Sequence, residues 1–258
     1  HSVYAVCEHS TLTQDAVFRA DTPLVEWESS LVWNEKHRLL KTAFHTNVRA
    51  RFARCETQFG CIQRPVTRND SREQAMFEVC NHRYTDLSEP SRGISILNDC
   101  KYGISTEGGT LALTLAKGGT RPDPRGDAGT YTFRYGILPH GGFSAAVARA
   151  GMRFDRTPLS LPGTLALPAF LWTDRPNIVV ETVKPCEDSD HAVIARLYEC
   201  EGTRTRAFLH TGFETTRAEV CDMMERPLFP IQPGDDLNFG PFEIKTIKLY
   251  YDTGEVTK

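Results

Sequence analysis

Strict alternation of apolar and polar residues is the feature of this sequence that most restricts its fold. In Thr110–Ala116 three leucines alternate with threonine and alanine, and in Tyr131–Ile137 a large apolar residue occupies every second position. A period of two puts one set of side chains on a single face, so each run predicts a half-buried β-strand. Further predicted strands are Leu24–Trp33, Arg51–Phe59, Ile178–Val183, Ala192–Cys200 and a last one around Ile247 and Leu249.

Turn residues separate these runs, and helix signals are few. Gly108-Gly109 precedes one strand and Gly118-Gly119 follows it, as expected for tight connections. Short helices are predicted over Ala75–Val79 (after a capping box formed by Ser71 and Gln74), Phe143–Met152 and Ala218–Arg226. Many short strands with frequent turns predict an all-β fold of antiparallel sandwiches with few short helices.

The chain is expected to contain two domains. Arg156–Pro168 is rich in proline, lacks periodicity and is interpreted as a connector. We therefore predict a large antiparallel sandwich domain over residues 1–168, a smaller β-sandwich over 169–252 and a polar tail over 253–258. Because the chain begins with His1 and no signal segment follows, we expect it to start inside a longer protein.

Charge and cysteine content narrow the class of protein. The formal net charge of −3 excludes a strong attraction to nucleic acid or anionic membranes. No apolar run approaches the ~20 residues that a membrane-spanning helix needs. The eight cysteines form no CxxC pair and match no zinc-site spacing. Free thiols in a reducing compartment, and hence a cytoplasmic protein, are the expectation.

No catalytic motif occurs within a single segment of this chain, but three polar segments stand out. Phe77–Glu89 interleaves carboxylates, a histidine and aromatic residues, which suits either a sugar site or the solvated face of an edge strand. In the second, Leu97–Gly103, four residues could hydrogen-bond sugar hydroxyls or simply hold a turn. These four are Asn98, Asp99, Lys101 and Tyr102.

The third segment, Lys117–Asp127, combines prolines and glycines with charged residues between two predicted strands. Those strands are expected to pair as a hairpin and to hold the loop rigidly. Lys117 could bind a sugar hydroxyl, and Asp123 and Asp127 could form a carboxylate pair for acid–base chemistry. The two carboxylates could equally bind a cation or cap the loop.

The same segments carry a family resemblance. The blocks, in chain order, are Trp33–Lys41 (W-x-E-x-H-x-L-L-K), Gln58–Gly60, Gln63–Pro65, Phe77–Val79, Asp86–Glu89, Leu97–Gly103 (L-N-D-x-K-Y-G), Pro122–Asp127, Pro139-His140, Arg196–Glu199 and Glu243–Thr246. Together they resemble the C-terminal β-sandwich region of family 38 glycoside hydrolases, which are α-mannosidases. The L-N-D-x-K-Y-G block is typical of the cytosolic, vacuolar and bacterial branch of that family.

The resemblance implies a retaining exo-α-mannosidase that removes terminal α-linked mannose from glycans. It implies a zinc ion and an Asp nucleophile in an N-terminal α/β barrel, so we expect no catalytic residue and no metal ligand in this chain. The chain would pack on the barrel and contribute to the rim of the substrate pocket. Near Lys117 the family usually has a basic residue, often Arg, that reaches towards the substrate. Lysine cannot make the bidentate contact of arginine.

Three hypotheses follow from these observations. The first is the site-completing C-terminal part of a zinc-dependent α-mannosidase, inactive alone, whose partners are its own catalytic barrel and a mannose-containing oligosaccharide. The second is a stand-alone carbohydrate-binding β-sandwich module, and the third is a purely structural domain. A homo-oligomer is left open under each.

The cysteine pattern gives a direct test. We expect close to eight free thiols per chain when the denatured, unreduced protein is titrated with a thiol reagent, because a reducing compartment leaves cysteines unpaired. A titre of four or fewer would indicate a bridged, secreted protein instead.

Overall fold

Antiparallel strands make up nearly all regular structure in the computed structural model, which describes residues 1–156, 162–164 and 169–252. The chain divides into two units, His1–Pro158 and Leu159–Lys258. Most of the predicted connector, and the predicted tail over 253–258, lie outside the described residues. The domain boundary at residue 168 therefore stays a prediction.

Twelve strands and two helices form the described part of the first unit. The strands are β1 (Ser2–Ala5), β2 (Thr11–Phe18), β3 (Val25–Trp33), β4 (Leu39–His45), β5 (Phe52–Thr57), β6 (Gly60–Pro65), β7 (Val79–Cys80), β8 (Tyr84–Ser88), β9 (Gly93–Asn98), β10 (Gly103–Glu107), β11 (Thr110–Lys117) and β12 (Gly129–His140). The helices are α1 (Ser71–Ala75) and α2 (Ala145–Asp155).

These strands form two sheets that share one core. The eight-stranded sheet has the order β1-β2-β3-β12-β9-β8-β5-β6, and the four-stranded sheet has the order β4-β11-β10-β7. Leu31 and Phe133 enter the core from the first sheet, and Leu111 and Leu113 enter it from the second. Alternation along β3, β11 and β12 therefore buries one face of each strand, and the predicted all-β antiparallel fold is confirmed.

The predicted hairpin between the strands that flank the Lys117–Asp127 loop is wrong. β11 pairs with β4 and β10, whereas β12 pairs with β3 and β9 in the other sheet. Each strand has a strongly apolar face, and placing the two in opposite sheets buries both faces in one core. The connection over residues 118–128 is also longer than the roughly 2–5 residues of common hairpin loops.

The second unit is a smaller pair of sheets. Its strands are β13 (Leu171–Thr173), β14 (Ile178–Pro185), β15 (Ala192–Glu199), β16 (Thr205–Thr211), β17 (Arg217–Cys221), β18 (Pro227–Ile231), β19 (Asp236–Phe239) and β20 (Ile244–Tyr250). The sheets have the orders β13-β16-β19 and β14-β15-β20-β17-β18. Ile178, Leu197 and Ile247 from the larger sheet pack with Leu237 and Phe239 from the smaller one.

One of the three predicted helices forms with shifted ends, and a second is displaced, because α1 shares only Ala75 with the predicted Ala75–Val79 and Val79 lies in β7. α1 is capped by Asp70, whose side chain accepts the N–H of Glu73, rather than by the predicted Ser71. A carboxylate at this position also interacts favourably with the helix dipole. α2 starts after the N-cap Ser144 and continues past the predicted end to Asp155. None of the described helices is long and apolar enough to cross a membrane.

The third predicted helix, Ala218–Arg226, is wrong because its first half is strand β17. Ala218 and Val220 are buried at alternate positions and pair with Leu249 and Ile247 of β20. The chain then turns at Asp222, whose carboxylate accepts the N–H groups of Met224 and Arg226. Period-two burial in a sheet interior therefore outweighs the helix propensity of this short run.

A buried polar network lies on β8 and its neighbours. Asp86 is fully buried and accepts hydrogen bonds from the hydroxyls of Ser88 and Ser95. His140 Nε2 lies 2.9 Å from the Asp86 carboxylate, and its Nδ1 lies 2.8 Å from the carbonyl oxygen of Gly142. Both ring nitrogens thus face acceptors, which suits the protonated imidazolium.

This network makes stability depend on pH. Burial alone would lower the pKa of His140, but the hydrogen bond and charge of Asp86 and the Gly142 carbonyl outweigh it, so the pKa is raised above 6.5. A raised folded-state pKa means that the stabilisation is complete below about pH 6.5 and is lost as pH rises through the folded pKa. We expect the difference in unfolding free energy between the parent and His140→Gln, measured by urea denaturation, to shrink as the pH is raised above about 6.5. A difference that does not change with pH would contradict this assignment.

Candidate functional site

The loop after β11 is fixed at its base by main-chain contacts. The Lys117 N–H donates to Asp127 Oδ2 at 2.7 Å. Gly118 donates its N–H to the Arg38 carbonyl at 2.8 Å and accepts the N–H of His37 at 2.6 Å. A Cβ on Gly118 would lie 2.3 Å from the Glu35 carbonyl oxygen, so only glycine permits this approach. The loops 34–38 and 117–128, together with the turn 98–102, are called the rim loops below.

The two loop carboxylates shape the loop itself. Asp127 holds the Lys117 N–H, and Asp123 Oδ1 accepts the N–H of Arg125 at 2.9 Å. The Asp123 carbonyl also accepts the N–H of Gly126, whose φ of 54° is the left-handed conformation that favours glycine. Of the alternatives for this pair, these contacts favour loop capping, because each carboxylate has an oxygen engaged by the loop's own backbone.

The turn after β9 is built on Asn98 and Asp99. Asn98 is buried; its Oδ1 accepts the N–H of Lys101 at 2.7 Å and its Nδ2 donates to the carbonyl of His82 at 2.6 Å. Asp99 Oδ2 accepts the N–H of Arg134 at 2.9 Å and lies 3.6 Å from its guanidinium Nε. Asn98 and Asp99 thus hold the turn and connect it to β12, which agrees with the alternative that these side chains hold a turn rather than bind a sugar.

Lys101 packs on aromatic residues of β12, whereas Tyr102 is exposed. The Lys101 ammonium lies 4.2 Å from the ring centroid of Phe133 and 5.5 Å from that of Tyr131. The Tyr131 hydroxyl donates to the Asp127 carbonyl at 2.7 Å, so Tyr131 joins the turn to the 117–128 loop. Alternation had predicted Tyr131 only as a core residue, and no sequence signal indicates that its hydroxyl links two loops. Tyr102 is 58% exposed, and its ring lies 5.2 Å from that of His82.

The Phe77–Glu89 segment contains one edge strand and one interior strand, so the predicted edge strand holds only for its first part: β7 lies at the edge of the four-stranded sheet. β8 lies between β9 and β5 in the eight-stranded sheet, and Asp86 is buried there. Glu78 pairs with Lys41 and accepts the hydroxyl of Thr114. These carboxylates therefore serve the fold, because each is engaged by neighbouring strands.

Two accessible side chains of the rim loops, Lys117 and Tyr102, suit the binding of a sugar. The exposed Lys117 side chain makes no ion pair with any described residue, and the Tyr102 ring is mostly open to solvent. An ammonium group can hydrogen-bond sugar hydroxyls, and an aromatic ring can pack on a sugar's apolar face. Within residues 1–156, 162–164 and 169–252, no group of three or more His, Cys, Asp or Glu side chains is arranged to hold a metal ion.

Two family models match the chain in sequence order. Residues 1–125 match the model described as "Glycosyl hydrolases family 38 C-terminal domain". Residues 177–247 match "Glycosyl hydrolases family 38 C-terminal beta sandwich domain". The first match includes the loop 34–38 and the turn 98–102 and ends inside the 117–128 loop, whereas the second lies in the smaller unit.

Three similar proteins, each from a different organism, are named as α-mannosidases. The chain is 36% identical to "Alpha-mannosidase 2C1" of Homo sapiens over 257 residues, which is 95% of this chain and 25% of that protein. It is 35% identical to "Alpha-mannosidase G" of Dictyostelium discoideum, covering 93% of this chain and 24% of that protein. It is 32% identical to "Alpha-mannosidase" of Saccharomyces cerevisiae, over 85% and 23% respectively. The chain thus spans about a quarter of the length of these relatives.

A solved structure shares the fold. An α-mannosidase from Enterococcus faecalis V583 superposes with a TM-score of 0.76 at 19% identity, over 94% of this chain and 29% of that one. At this identity the likeness concerns the fold alone. Matches to two models of the same family, in order along the chain, place the sequence more specifically. The chain belongs to glycosyl hydrolase family 38 and corresponds to the C-terminal region of its members.

Proposed function

We propose that this chain is the C-terminal part of a retaining, zinc-dependent exo-α-mannosidase that removes terminal α-linked mannose from glycans, and that its rim loops complete the substrate pocket. The observation that carries the proposal is the anchored loop 117–128, whose fixed backbone presents Lys117, a cation with no ion-pair partner in the described part of the chain. The names of the relatives indicate the sugar, and the chain's share of their length leaves about three quarters of such a protein to hold the catalytic groups.

In this proposal zinc is held by the N-terminal barrel of the longer protein. The described residues, which contain no group of three or more side chains arranged as metal ligands, fit that division. The role left to this chain is to bind and orient the sugar. A hydrogen bond from a charged donor such as the Lys117 ammonium is worth roughly 1.5–3 kcal/mol when water is excluded. Such a bond speeds the reaction only to the extent that it strengthens in the transition state.

The protein is proposed to act in the cytoplasm, with its own N-terminal barrel as partner. None of the eight cysteines forms a disulfide in the structure, and four of them are buried. Burial raises the pKa of the Cys55 thiol to about 11, which leaves little reactive thiolate at neutral pH. Eight cysteines without a disulfide fit a reducing compartment.

A carbohydrate-binding module remains the second candidate because of an exposed aromatic surface in the smaller unit. The ring of Trp172 is stacked on that of His210 at a centroid distance of 5.4 Å, on a sheet face where Phe208 is also exposed. Flat exposed aromatic rings suit packing against the apolar face of a sugar. This function needs no catalytic barrel.

The rim role is tested by removing the cation. In the intact protein that carries this chain, Lys117→Ala should lower kcat/KM for an aryl α-mannoside by about tenfold or more, since ~1.4 kcal/mol corresponds to one decade. Lys117→Arg should keep most of the activity because it preserves the positive charge. The control is Arg125→Ala, which removes an 84% exposed cation from the same loop and should change kcat/KM less than twofold. Folded Lys117→Ala protein with kinetics within twofold of the parent would rule out the rim role.

The chain alone should not turn over an aryl α-mannoside, even with zinc supplied. Retaining glycoside hydrolysis needs two carboxylates about 5–5.5 Å apart on either side of the scissile bond, and the rim carboxylates are engaged in shaping their loop. Steady release of the aryl group by the purified chain would contradict the proposal that the catalytic groups lie outside this chain. Tight binding of a mannotriose to the chain alone, lost in Trp172→Ala, would favour the module instead.

A further inference from the structure

A cavity of about 380 Å³ opens on the outer face of the eight-stranded sheet, beside the last turns of α2. Its walls come from β3, β12, α2 and the loop between β2 and β3. The volume is in the lower range of sites that hold small molecules, roughly 300–1,000 Å³. None of its lining residues belongs to the rim loops, so it is a separate feature of the same unit.

One glycine gives this cavity its shape. Arg134, Gly136 and Leu138 occupy alternate positions of β12, so they share the outward face. A Cβ on Gly136 would lie 3.0 Å from a methyl carbon of Leu24 and 3.4 Å from the ring of Phe154. The missing side chain lets these two groups approach the sheet, and together with Leu138 they provide the cavity with apolar walls.

Three arginines line the cavity. Arg19 pairs with the buried carboxylate of Glu26. Arg134 is held in place by the Phe154 carbonyl at 2.8 Å and by Asp99 at 3.6 Å, with its guanidinium 5.1 Å from the Phe154 ring centroid. Arg153 lies on the exposed side of α2 and makes no ion pair with any described residue.

The charges of the lining do not cancel. Three guanidinium groups line the cavity beside Glu26, and Asp99, which is outside the lining, lies 3.6 Å from the Nε of Arg134, so these five groups together carry a formal charge of +1. This local excess occurs in a chain whose net charge is −3. Arginine's planar fork matches the oxygens of carboxylates and phosphates, and a guanidinium already fixed by other contacts loses less freedom on binding.

We propose that this cavity binds a small molecule that carries a phosphomonoester group, such as a sugar phosphate. A phosphomonoester has three terminal oxygens, so it can accept hydrogen bonds from two guanidinium groups at once more readily than a carboxylate, which has two oxygens. Arg153 and Arg134 would contact the phosphate oxygens, and Leu138 and Phe154 would pack on the carbon skeleton. The cavity is a single concave site with apolar walls, which favours a compact ligand over an extended polyanion.

The test is calorimetric titration of the intact protein that carries this chain with glucose 6-phosphate, inorganic phosphate, gluconate and glucose. We expect glucose 6-phosphate to bind, inorganic phosphate to compete with it, gluconate to bind more weakly and glucose not to bind. Arg153→Ala should weaken binding of glucose 6-phosphate by about tenfold, or ~1.4 kcal/mol. Ala150→Phe, which fills the cavity from α2 without changing its charge, should abolish binding.

The control is Arg72→Ala, which removes one exposed arginine of the same unit outside the cavity and should leave the affinity unchanged. Arg153 is exposed, so its variant should fold even if Ala150→Phe does not. Failure of glucose 6-phosphate to bind, affinity that Arg153→Ala leaves unchanged, or equal binding of gluconate would each overturn the proposal. If another part of the intact protein fills the cavity, glucose 6-phosphate will not bind, and that result would overturn the proposal as well. None of these results depends on mannosidase activity.

Discussion

The shared core of the larger unit is the interaction on which its other features depend. Leucines of β11 and aromatic residues of β12 bury their apolar faces against each other from opposite sheets. Burial of a Leu or Phe side chain contributes roughly 1.5–3 kcal/mol, more than a turn or a surface ion pair does. The core therefore decides which strands pair, and the loops have to span the distances that this pairing sets.

The 117–128 loop illustrates how strand pairing sets the course of a loop. Because its two flanking strands belong to different sheets, the loop crosses between the layers at one end of the sandwich. Crossing brings the loop against the 34–38 loop through Gly118 and, through Tyr131, against the turn 98–102. Three segments that are far apart in sequence meet there because the sheets bring their strand ends together.

Much of the fold could be predicted from alternation, since burial on one face has a direct sequence signature. The strand over Thr110–Ala116 is an example, with its three leucines all buried. Strand pairing could not be predicted, because the same alternation fits a hairpin or two strands in facing sheets. The Ala218–Arg226 error has a related cause: a short run with alanine and valine at alternate positions fits either period until its neighbours are known.

The residue types of the candidate site could be predicted from the sequence, but the role of each side chain could not. Glycines and prolines indicated a shaped loop, and the structure has one. The sequence could not separate side chains that build the loop, such as Asp127 and Asn98, from those left free, such as Lys117. That division depends on hydrogen bonds between residues distant in sequence, for example from Asn98 Nδ2 to the carbonyl of His82.

The contacts at the base of the 117–128 loop fix the backbone position of Lys117 independently of the length of the loop. Lys117 is positioned by its strand, by Asp127 and by the Gly118 contact with Arg38, whereas residues 119–126 close on themselves through Asp123 and Gly126. Insertions or deletions at this tip would leave the root of the Lys117 side chain where it is. Related sequences can therefore differ in the length of this tip while the ammonium group at its base starts from the same backbone position.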